Sequence, residues 1–171
     1  MKIIKNILSE DLFDKCRTEL SKKFTSFCWG SSPLFWPRDI LIQQSGACMV
    51  TPVSPELFRL LKKELKSHLP KCKKLICQYY VWLPHSGISL HNDPTHIFGA
   101  TIYLNKLEWS PNSGGWFIWK DTETPKTGVY KSILPQKNVM VLNDKREWHL
   151  VTSVASGCLE HRYTIQVWGN A

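Results

Sequence analysis

Between Leu75 and Trp168 the sequence contains a succession of short runs rich in β-branched and aromatic residues, separated by Gly, Pro, Asn and Asp. Runs of this composition are typical of β-strands, and no helical periodicity interrupts them. They cover residues 75–83, 87–92, 98–105, 115–120, 127–134, 138–143, 149–154 and 161–168. Eight successive strands without intervening helices favour an antiparallel sandwich or barrel.

Two amphipathic helices are predicted upstream of the strands. Ser9 is a suitable N-cap, and apolar residues recur at helical spacing after it, which predicts a helix over 10–25. Ser54 followed by Pro55 predicts the start of a second helix, which Pro70 ends. Both helices have an apolar stripe that must pack against another element.

These patterns suggest how the chain is organised. The segment 28–50 reads as a loop followed by a possible strand at Ile40–Ile42. A chain of 171 residues is long enough for one globular domain with a sizeable core. We therefore expect a single domain, 1–171, in which 1–74 forms a helical support on the outer face of a strand-rich core, 75–169.

Composition limits the environment and the partners. Six cysteines without CxxC spacing and an N-terminus without an apolar leader predict reduced thiols in a cytoplasmic protein. No apolar stretch approaches the roughly 20 residues that span a membrane. The net charge of +8 leaves a nucleic acid possible as a partner, although no recognition motif supports it. Lysines on the outer face of a helix most often form a solvated surface. As a separate expectation, the protein is predicted to be a monomer.

A candidate metal site is formed by residues from distant parts of the sequence. His91 and Asp93 are two residues apart, so in an extended chain they point to the same side. His149 could supply a third ligand if its strand ends at the same mouth of the barrel. Two histidines and one carboxylate form the facial triad of non-haem Fe(II) oxygenases.

Arg162 is a second candidate functional residue. It begins a strand in which Thr164, Gln166 and Trp168 share its face, while apolar residues occupy the other face. Because large apolar residues lie on both faces, with Trp168 on the face of Arg162, the strand is expected to be buried. Burying an arginine inside a barrel costs free energy unless an anion meets it. Either a protein carboxylate or a bound ligand must therefore meet the guanidinium, and a dicarboxylate would suit its bidentate geometry.

The order of these motifs resembles the Fe(II)- and 2-oxoglutarate-dependent dioxygenases of the prolyl-4-hydroxylase type. The resemblance covers residues 75–169 and implies a double-stranded β-helix, a jelly-roll or cupin-like barrel of about eight antiparallel strands. The motifs that carry it are His91-Asn-Asp93, Thr101-Ile-Tyr-Leu-Asn105, Gly114-Gly115-Trp-Phe, Pro135, Asn138-Val-Met-Val, His149 and Arg162-Tyr-Thr-Ile-Gln-Val-Trp168.

The resemblance also implies cofactors and roles. The two histidines and the aspartate would bind Fe(II), with 2-oxoglutarate and O2 as cosubstrates and ascorbate in a supporting role. Arg162 and Tyr103 would bind the distal carboxylate of 2-oxoglutarate, and Gln166 would help to orient it. No further catalytic residue is implied. Because Asp93 is present, hydroxylation is favoured over halogenation, in which related enzymes replace this carboxylate by a small residue.

The substrate is predicted only by analogy. The implied reaction hydroxylates an unactivated C–H bond while 2-oxoglutarate is decarboxylated to succinate, and peptidyl proline or another protein side chain is the first guess. Tyr80, Trp82 and Trp116 are candidate substrate contacts. The same chemistry on a free amino acid, a small metabolite or a nucleobase is one alternative. A non-catalytic, cupin-like metal-binding module is another, which would not need Arg162.

Overall fold

Two antiparallel sheets form the framework of the protein. The computed structural model describes residues 1–25, 32–34, 48–121 and 128–171. The helices are α1 (Glu10–Thr25) and α2 (Pro55–Leu65). The strands are β1 (Lys2–Lys5), β2 (Ser32–Leu34), β3 (Cys48–Pro52), β4 (Lys74–Trp82), β5 (Ile88–His91), β6 (Phe98–Tyr103), β7 (Phe117–Lys120), β8 (Tyr130–Ile133), β9 (Val139–Asn143), β10 (His149–Val151) and β11 (Arg162–Asn170).

The strand order is that of a double-stranded β-helix. The larger sheet has the order β1-β9-β6-β11-β4-β3-β2, and the smaller sheet has the order β5-β10-β7-β8. All eight strands predicted from the sequence are present, as β4 to β11, and four of them lie in each sheet. The predicted fold class is therefore confirmed. From β4 to β11 the chain crosses between the sheets at every step except the hairpin of β7 and β8, which brings residues distant in sequence to one interior.

Both predicted helices are present, with the predicted N-caps. The Ser9 hydroxyl accepts a hydrogen bond from the Leu12 amide, and the Ser54 hydroxyl accepts one from the Leu57 amide, each at 3.4 Å. These caps satisfy amides that have no partner within the helix. Among the described residues, no helix has the length and the hydropathy needed to cross a membrane.

The second helix is shorter than predicted. It ends at Leu65, whose carbonyl accepts hydrogen bonds from the amides of His68 at 3.0 Å and Leu69 at 3.1 Å. These two bonds form a turn that leads to Pro70. Because Pro70 marks the end of the turn and not of the regular helix, the sequence placed the helix end several residues too late.

The N-terminal part contributes strands as well as helices. β1 pairs with β9 at one edge of the larger sheet, and β3 pairs with β4 towards the other edge, followed by β2. Neither β2 nor β3 was predicted from the sequence. The possible strand at Ile40–Ile42 lies outside the described residues. Segment 1–74 therefore widens the sheet on both sides in addition to supporting it.

Strand β4 separates two apolar cores because its side chains alternate. Cys77, Tyr79 and Val81 pack with buried residues of α1 and α2 on the outer face of the larger sheet. Tyr80 and Trp82 pack in the second core, together with buried residues of the smaller sheet. The first core fixes the helices, and the second lies between the sheets, where the candidate site is found.

Replacing Leu61 by alanine should lower the free energy of unfolding by about 3 kcal/mol, because Leu61 is fully buried between α2 and the larger sheet. The neighbouring Leu60 is 37% exposed and is a matched control, for which the loss should stay below about 1 kcal/mol. Urea denaturation measures both. Equal losses would contradict the assignment of this face of α2 to the core.

Candidate active site

Strand pairing in the smaller sheet brings two of the candidate ligands together. His91 ends β5 and lies directly opposite His149, which begins β10. The register then shifts, so that Val151 pairs with Ile88. This irregularity adds a residue on β5 beside the two histidines, a position where bulges commonly redirect side chains. Asp93 follows His91 in the turn after the strand.

The three side chains form a compact group of metal-ligating atoms. One possible ligand atom from each of His91, Asp93 and His149 lies within 4.8 Å of the others. Nε2 of His91 is 3.9 Å from Asp93 Oδ1, and Nε2 of His149 is 3.6 Å from Asp93 Oδ2. Two imidazoles and one carboxylate on one side of the ion position leave the other side open, as a facial triad requires.

Backbone carbonyls fix the orientation of both imidazoles. Nδ1 of His91 lies 2.8 Å from the Ser89 carbonyl oxygen, and Nδ1 of His149 lies 2.9 Å from that of Glu147. Since a carbonyl can only accept, each Nδ1 carries a proton, which leaves Nε2 as the nitrogen that could bind a metal. Burial, together with the nearby His91, lowers the pKa of His149, which favours the neutral form that binds metals.

The carbonyl that orients His149 is itself held in place. The Asn143 side-chain amide donates to the Glu147 carbonyl at 3.0 Å, and its oxygen accepts from the Glu147 amide at 2.9 Å. Phe117 stacks on the His149 ring, with centroids 5.1 Å apart and an interplanar angle of 18°. These contacts restrict the imidazole to one rotamer and so preorganise the ligand set.

Arg162 lies deep between the two sheets. Its side chain is fully buried, and its Nε donates to the Gly115 carbonyl at 3.1 Å. The guanidinium carbon is 4.9 Å from the Trp82 ring and 5.2 Å from the Tyr103 ring. Nη1 and Nη2 of Arg162 and the Tyr103 hydroxyl are buried without a hydrogen-bond partner among the described residues.

Two glycines allow the backbone to reach this arginine. Gly114 and Gly115 both have φ of +64°, a conformation that other residues rarely adopt. A Cβ on Gly114 would lie 2.0 Å from the Ser153 carbonyl oxygen, and one on Gly115 would lie 3.0 Å from Arg162 Cδ. With no side chain in the way, the Gly115 carbonyl can accept the hydrogen bond from Arg162 Nε.

The electrostatics of this region fit an anionic ligand. Burial lowers the pKa of Arg162 and raises that of Tyr103, and each shift is opposed by the interaction between the two groups. A buried guanidinium with unsatisfied terminal nitrogens is costly unless an anion meets it. A carboxylate could accept from both the fork of Arg162 and the hydroxyl of Tyr103. Their chemistry therefore fits the distal carboxylate of 2-oxoglutarate.

A cavity of about 70 Å³ is lined by the three candidate ligands and by Gln166 and Trp168 of β11, whereas Arg162 and Tyr103 do not line it. Of the predicted substrate and cosubstrate contacts, Tyr80, Trp82 and Gln166 line it. Trp116 does not line it, and its indole N–H donates instead to the Pro111 carbonyl at 3.2 Å. Phe117, the next residue along the chain, does line the cavity.

Gln166 is held by two threonines for which no functional role was predicted from the sequence. Its side-chain oxygen accepts from the Thr101 hydroxyl at 2.9 Å, and its nitrogen donates to the Thr164 hydroxyl at 3.2 Å. Trp82 also donates to Thr164, at 3.3 Å. Thr164 and Gln166 alternate on β11 with Arg162, and this period of two was the available signal for Thr164. Thr101 became visible only through the pairing of β6 with β11.

Comparison with known families agrees with this geometry. The model of the 2OG-Fe(II) oxygenase superfamily matches residues 61–170, which include the candidate ligands and Arg162. The chain belongs to the 2OG-Fe(II) oxygenase superfamily. It is thus an enzyme of the 2-oxoglutarate-dependent oxygenase class, and membership implies dependence on Fe(II) and 2-oxoglutarate. No curated protein sequence matches the chain significantly.

Solved structures of 2OG-Fe(II) oxygenases share the fold over almost the whole chain. A Pseudomonas putida prolyl-4-hydroxylase is 16% identical with a TM-score of 0.75, covering 99% of this chain and 91% of that one. A Trichoplax adhaerens prolyl hydroxylase, in complex with a hypoxia-inducible factor peptide fragment, is 16% identical with a TM-score of 0.76, covering 99% and 82%. A collagen prolyl hydroxylase of Paramecium bursaria Chlorella virus-1 is 18% identical with a TM-score of 0.60, covering 98% and 93%.

Replacing Arg162 by methionine should leave the free energy of unfolding of the cofactor-free protein unchanged or raise it by about 1 kcal/mol, because a buried, incompletely paired charge is removed. Arg17 is the contrasting control. It pairs with Glu160 at 3.1 Å and lies over the Tyr163 ring at 4.0 Å, so Arg17→Met should cost about 1 kcal/mol. Urea denaturation of both variants tests the difference, and a larger loss for Arg162→Met would contradict it.

Proposed function

We propose that this oxygenase hydroxylates an unactivated C–H bond and that its reaction centre is the group His91, Asp93 and His149. The buried, unpaired donors of Arg162 and Tyr103 carry this proposal, because a simple metal-binding module would have no use for them. When bound, Fe(II) with 2-oxoglutarate and O2 supplies the oxidant, and 2-oxoglutarate is converted to succinate and CO2. The retained Asp93 favours hydroxylation over halogenation.

The protein's own contribution is to hold the metal and the cosubstrate in fixed positions. Two neutral imidazoles and one carboxylate would bind Fe(II), each imidazole through Nε2. Arg162 and Tyr103 would bind the distal carboxylate of 2-oxoglutarate in a site that excludes water. Gln166, fixed by Thr101 and Thr164, would help to orient the cosubstrate. No further catalytic residue is needed.

For the substrate, we propose a protein side chain, with peptidyl proline as the first candidate. Tyr80, Trp82 and Trp168 line the cavity beside the ligand group and would form an apolar, aromatic surface for such a ring. Two of the solved structures with this fold are prolyl hydroxylases from Pseudomonas putida and Trichoplax adhaerens, and the latter contains a peptide. We retain Trp116 only as a contact for larger substrates.

Further parts of the proposal concern the working state of the enzyme. We propose that residues 1–171 act as one domain and as a monomer, with ascorbate supporting turnover by keeping the iron reduced. The described cysteines are free, and three of them, Cys16, Cys48 and Cys77, are buried. Free thiols are typical of reducing compartments and support a cytoplasmic location.

Replacing His91 or Asp93 by alanine should abolish the formation of succinate from 2-oxoglutarate, because each change removes a metal ligand. The assay contains Fe(II), ascorbate and 2-oxoglutarate, and Co(II) binding followed by absorbance gives a second readout. His68→Ala is the matched control, since His68 is exposed on the turn after α2. Wild-type succinate formation in variants lacking either ligand would overturn the assignment.

Replacing Arg162 by lysine should raise the apparent KM for 2-oxoglutarate by about tenfold or more, because lysine keeps the charge but loses the bidentate fork. Co(II) binding should remain at the wild-type level. Arg17→Lys, on α1 and not among the residues that line the cavity, controls for the loss of a guanidinium elsewhere. An unchanged KM would remove Arg162 from the cosubstrate site.

Mass spectrometry should reveal the substrate class as a gain of one oxygen. Pools of proline-containing peptides, free amino acids and oligonucleotides are incubated separately with the enzyme and its cosubstrates. We expect oxidation in the peptide pool, and the same reaction with Asp93→Ala provides the blank. Oxidation restricted to oligonucleotides or to amino acids would replace the peptide proposal by the corresponding alternative.

A further inference from the structure

A lysine-rich recess lies at the C-terminal end of α2 and the turn that follows it. The recess has a volume of about 430 Å³ and is lined by the four cations Lys62, Lys66, Lys71 and Lys73; we call it the lysine groove. We propose that the lysine groove docks an acidic stretch of the polypeptide substrate. This inference rests on the proposed function, because it names the class of polypeptide that the oxygenase would modify.

The charge of this segment is concentrated and uncompensated. Residues 62–74 contain six lysines and one glutamate, a formal charge of +5 out of +8 for the whole chain. The glutamate, Glu64, is turned away and accepts from the Ser9 amide at 2.9 Å and the Ser9 hydroxyl at 2.7 Å. All six lysines are exposed, and none forms an ion pair with another described residue. A positive potential of this density attracts an anionic partner.

The floor of the groove is aliphatic. Leu69, Pro70 and Leu75 line it between the lysines, and the two leucines are partly buried against the main apolar core. A recess with an apolar floor and a cationic rim matches a peptide in which acidic and aliphatic side chains alternate, since both kinds of side chain find a partner. The lysine stems can also cover the apolar part of such a ligand.

The same lining argues against a nucleic acid. Proteins that bind single strands place aromatic side chains where bases can stack. The described residues that line the groove include no aromatic side chain, so the groove offers no surface on which bases could stack. Its aliphatic floor instead matches the aliphatic side chains of a peptide.

The groove is connected to the rim of the candidate active site. The Lys73 amide donates to the Asn170 carbonyl at 3.0 Å, and the Asn170 side-chain oxygen lies 2.6 Å from His96 Nδ1. The His96 amide in turn donates to the Asp93 carbonyl at 3.3 Å. The centroid of the His96 ring is 5.7 Å from that of Trp168, which lines the cavity. One extended peptide could thus pass the C-terminal end of β11 from the groove towards the candidate metal ligand Asp93.

A further cation stands on the same rim. Arg146 is exposed, and its Nε donates to the His96 carbonyl at 2.9 Å. Its terminal nitrogens remain available to a second carboxylate near the reaction centre. Positive charge therefore continues from the groove towards the rim, which favours acidic residues next to the modified side chain as well as at the docking segment.

Fluorescence anisotropy of the full chain with labelled peptides tests the docking surface. The probe is a peptide of alternating glutamate and leucine, and the comparison peptide has glutamine in place of glutamate. We expect the acidic peptide to bind, the glutamine peptide to bind at least about tenfold more weakly, and added salt to weaken the acidic complex. Equal binding of the two peptides, or no binding of either, would overturn the proposal.

Charge-reversal variants locate the binding. Lys66→Glu combined with Lys71→Glu should weaken binding of the acidic peptide by about tenfold or more. Lys5→Glu combined with Lys22→Glu makes the same change in net charge at exposed lysines outside the groove and should alter the affinity less than about twofold. Thermal melting confirms that both variants are folded. If both double variants weakened binding equally, the attraction would be a general effect of net charge, and the assignment of the binding site to the lysine groove would be wrong.

Two further probes test for other anionic partners. An assay of succinate formation distinguishes a failure of the docking proposal from a failure of the proposed oxygenase function. Binding of oligodeoxythymidine or phosphatidylserine vesicles that exceeds peptide binding and depends on Lys66 and Lys71 would replace the peptide by a nucleic acid or a membrane. If the wild-type enzyme forms succinate but does not bind the acidic peptide, only the proposal that the lysine groove docks an acidic segment is refuted. Wild-type enzyme that binds the peptide but never forms succinate refutes the proposed function alone.

Discussion

The guanidinium of Arg162 lies out of contact with water between the two sheets, and both of its terminal nitrogens lack a partner among the described residues. A charge in this position lowers the stability of the fold unless an anion completes it. Several features of the structure serve this one residue: Gly115 approaches closely enough to accept from Nε, and Trp82 and Tyr103 enclose the guanidinium with their rings. The interior between the sheets is thus built for an anion as much as for apolar packing.

The alternation of side chains along the central strands separates support from chemistry. On β11, Ile165 and Val167 pack towards the helices, while Arg162 and Gln166 face the interior between the sheets. The helices therefore stabilise one face of the larger sheet without contributing to the cavity. The candidate metal ligands belong to the smaller sheet and its turns, whereas Arg162 and Gln166 belong to the larger sheet, so the proposed metal and cosubstrate sites would depend on how the two sheets pack.

Much of this arrangement could be predicted from the sequence because it depends on local periodicity. The period of two along β11 placed Arg162 and Gln166 on one face, and Ser9 marked the start of α1. The contacts made by backbone carbonyls could not be predicted, since the acceptors for Arg162 and His149 depend on tertiary placement and not on residue type. β3 was missed because a five-residue strand that ends in proline has a weak signal by itself and is stabilised by pairing with β4.

The unequal exposure of the two proposed binding regions has consequences for what each can recognise. The proposed site around Arg162 is buried, so it would discriminate by hydrogen-bond geometry, and its occupancy would add to the stability of the folded state. The lysine groove is exposed and flexible in its side chains, so its electrostatic attraction is screened by salt and tolerates many acidic sequences. Because the site around Arg162 would bind the cosubstrate and not the polypeptide, specificity for a particular residue must arise between the groove and the ligand group, at the rim formed by Asp93, His96 and Trp168. Placement of the cosubstrate and broad attraction of the polypeptide are in this way assigned to different parts of the fold.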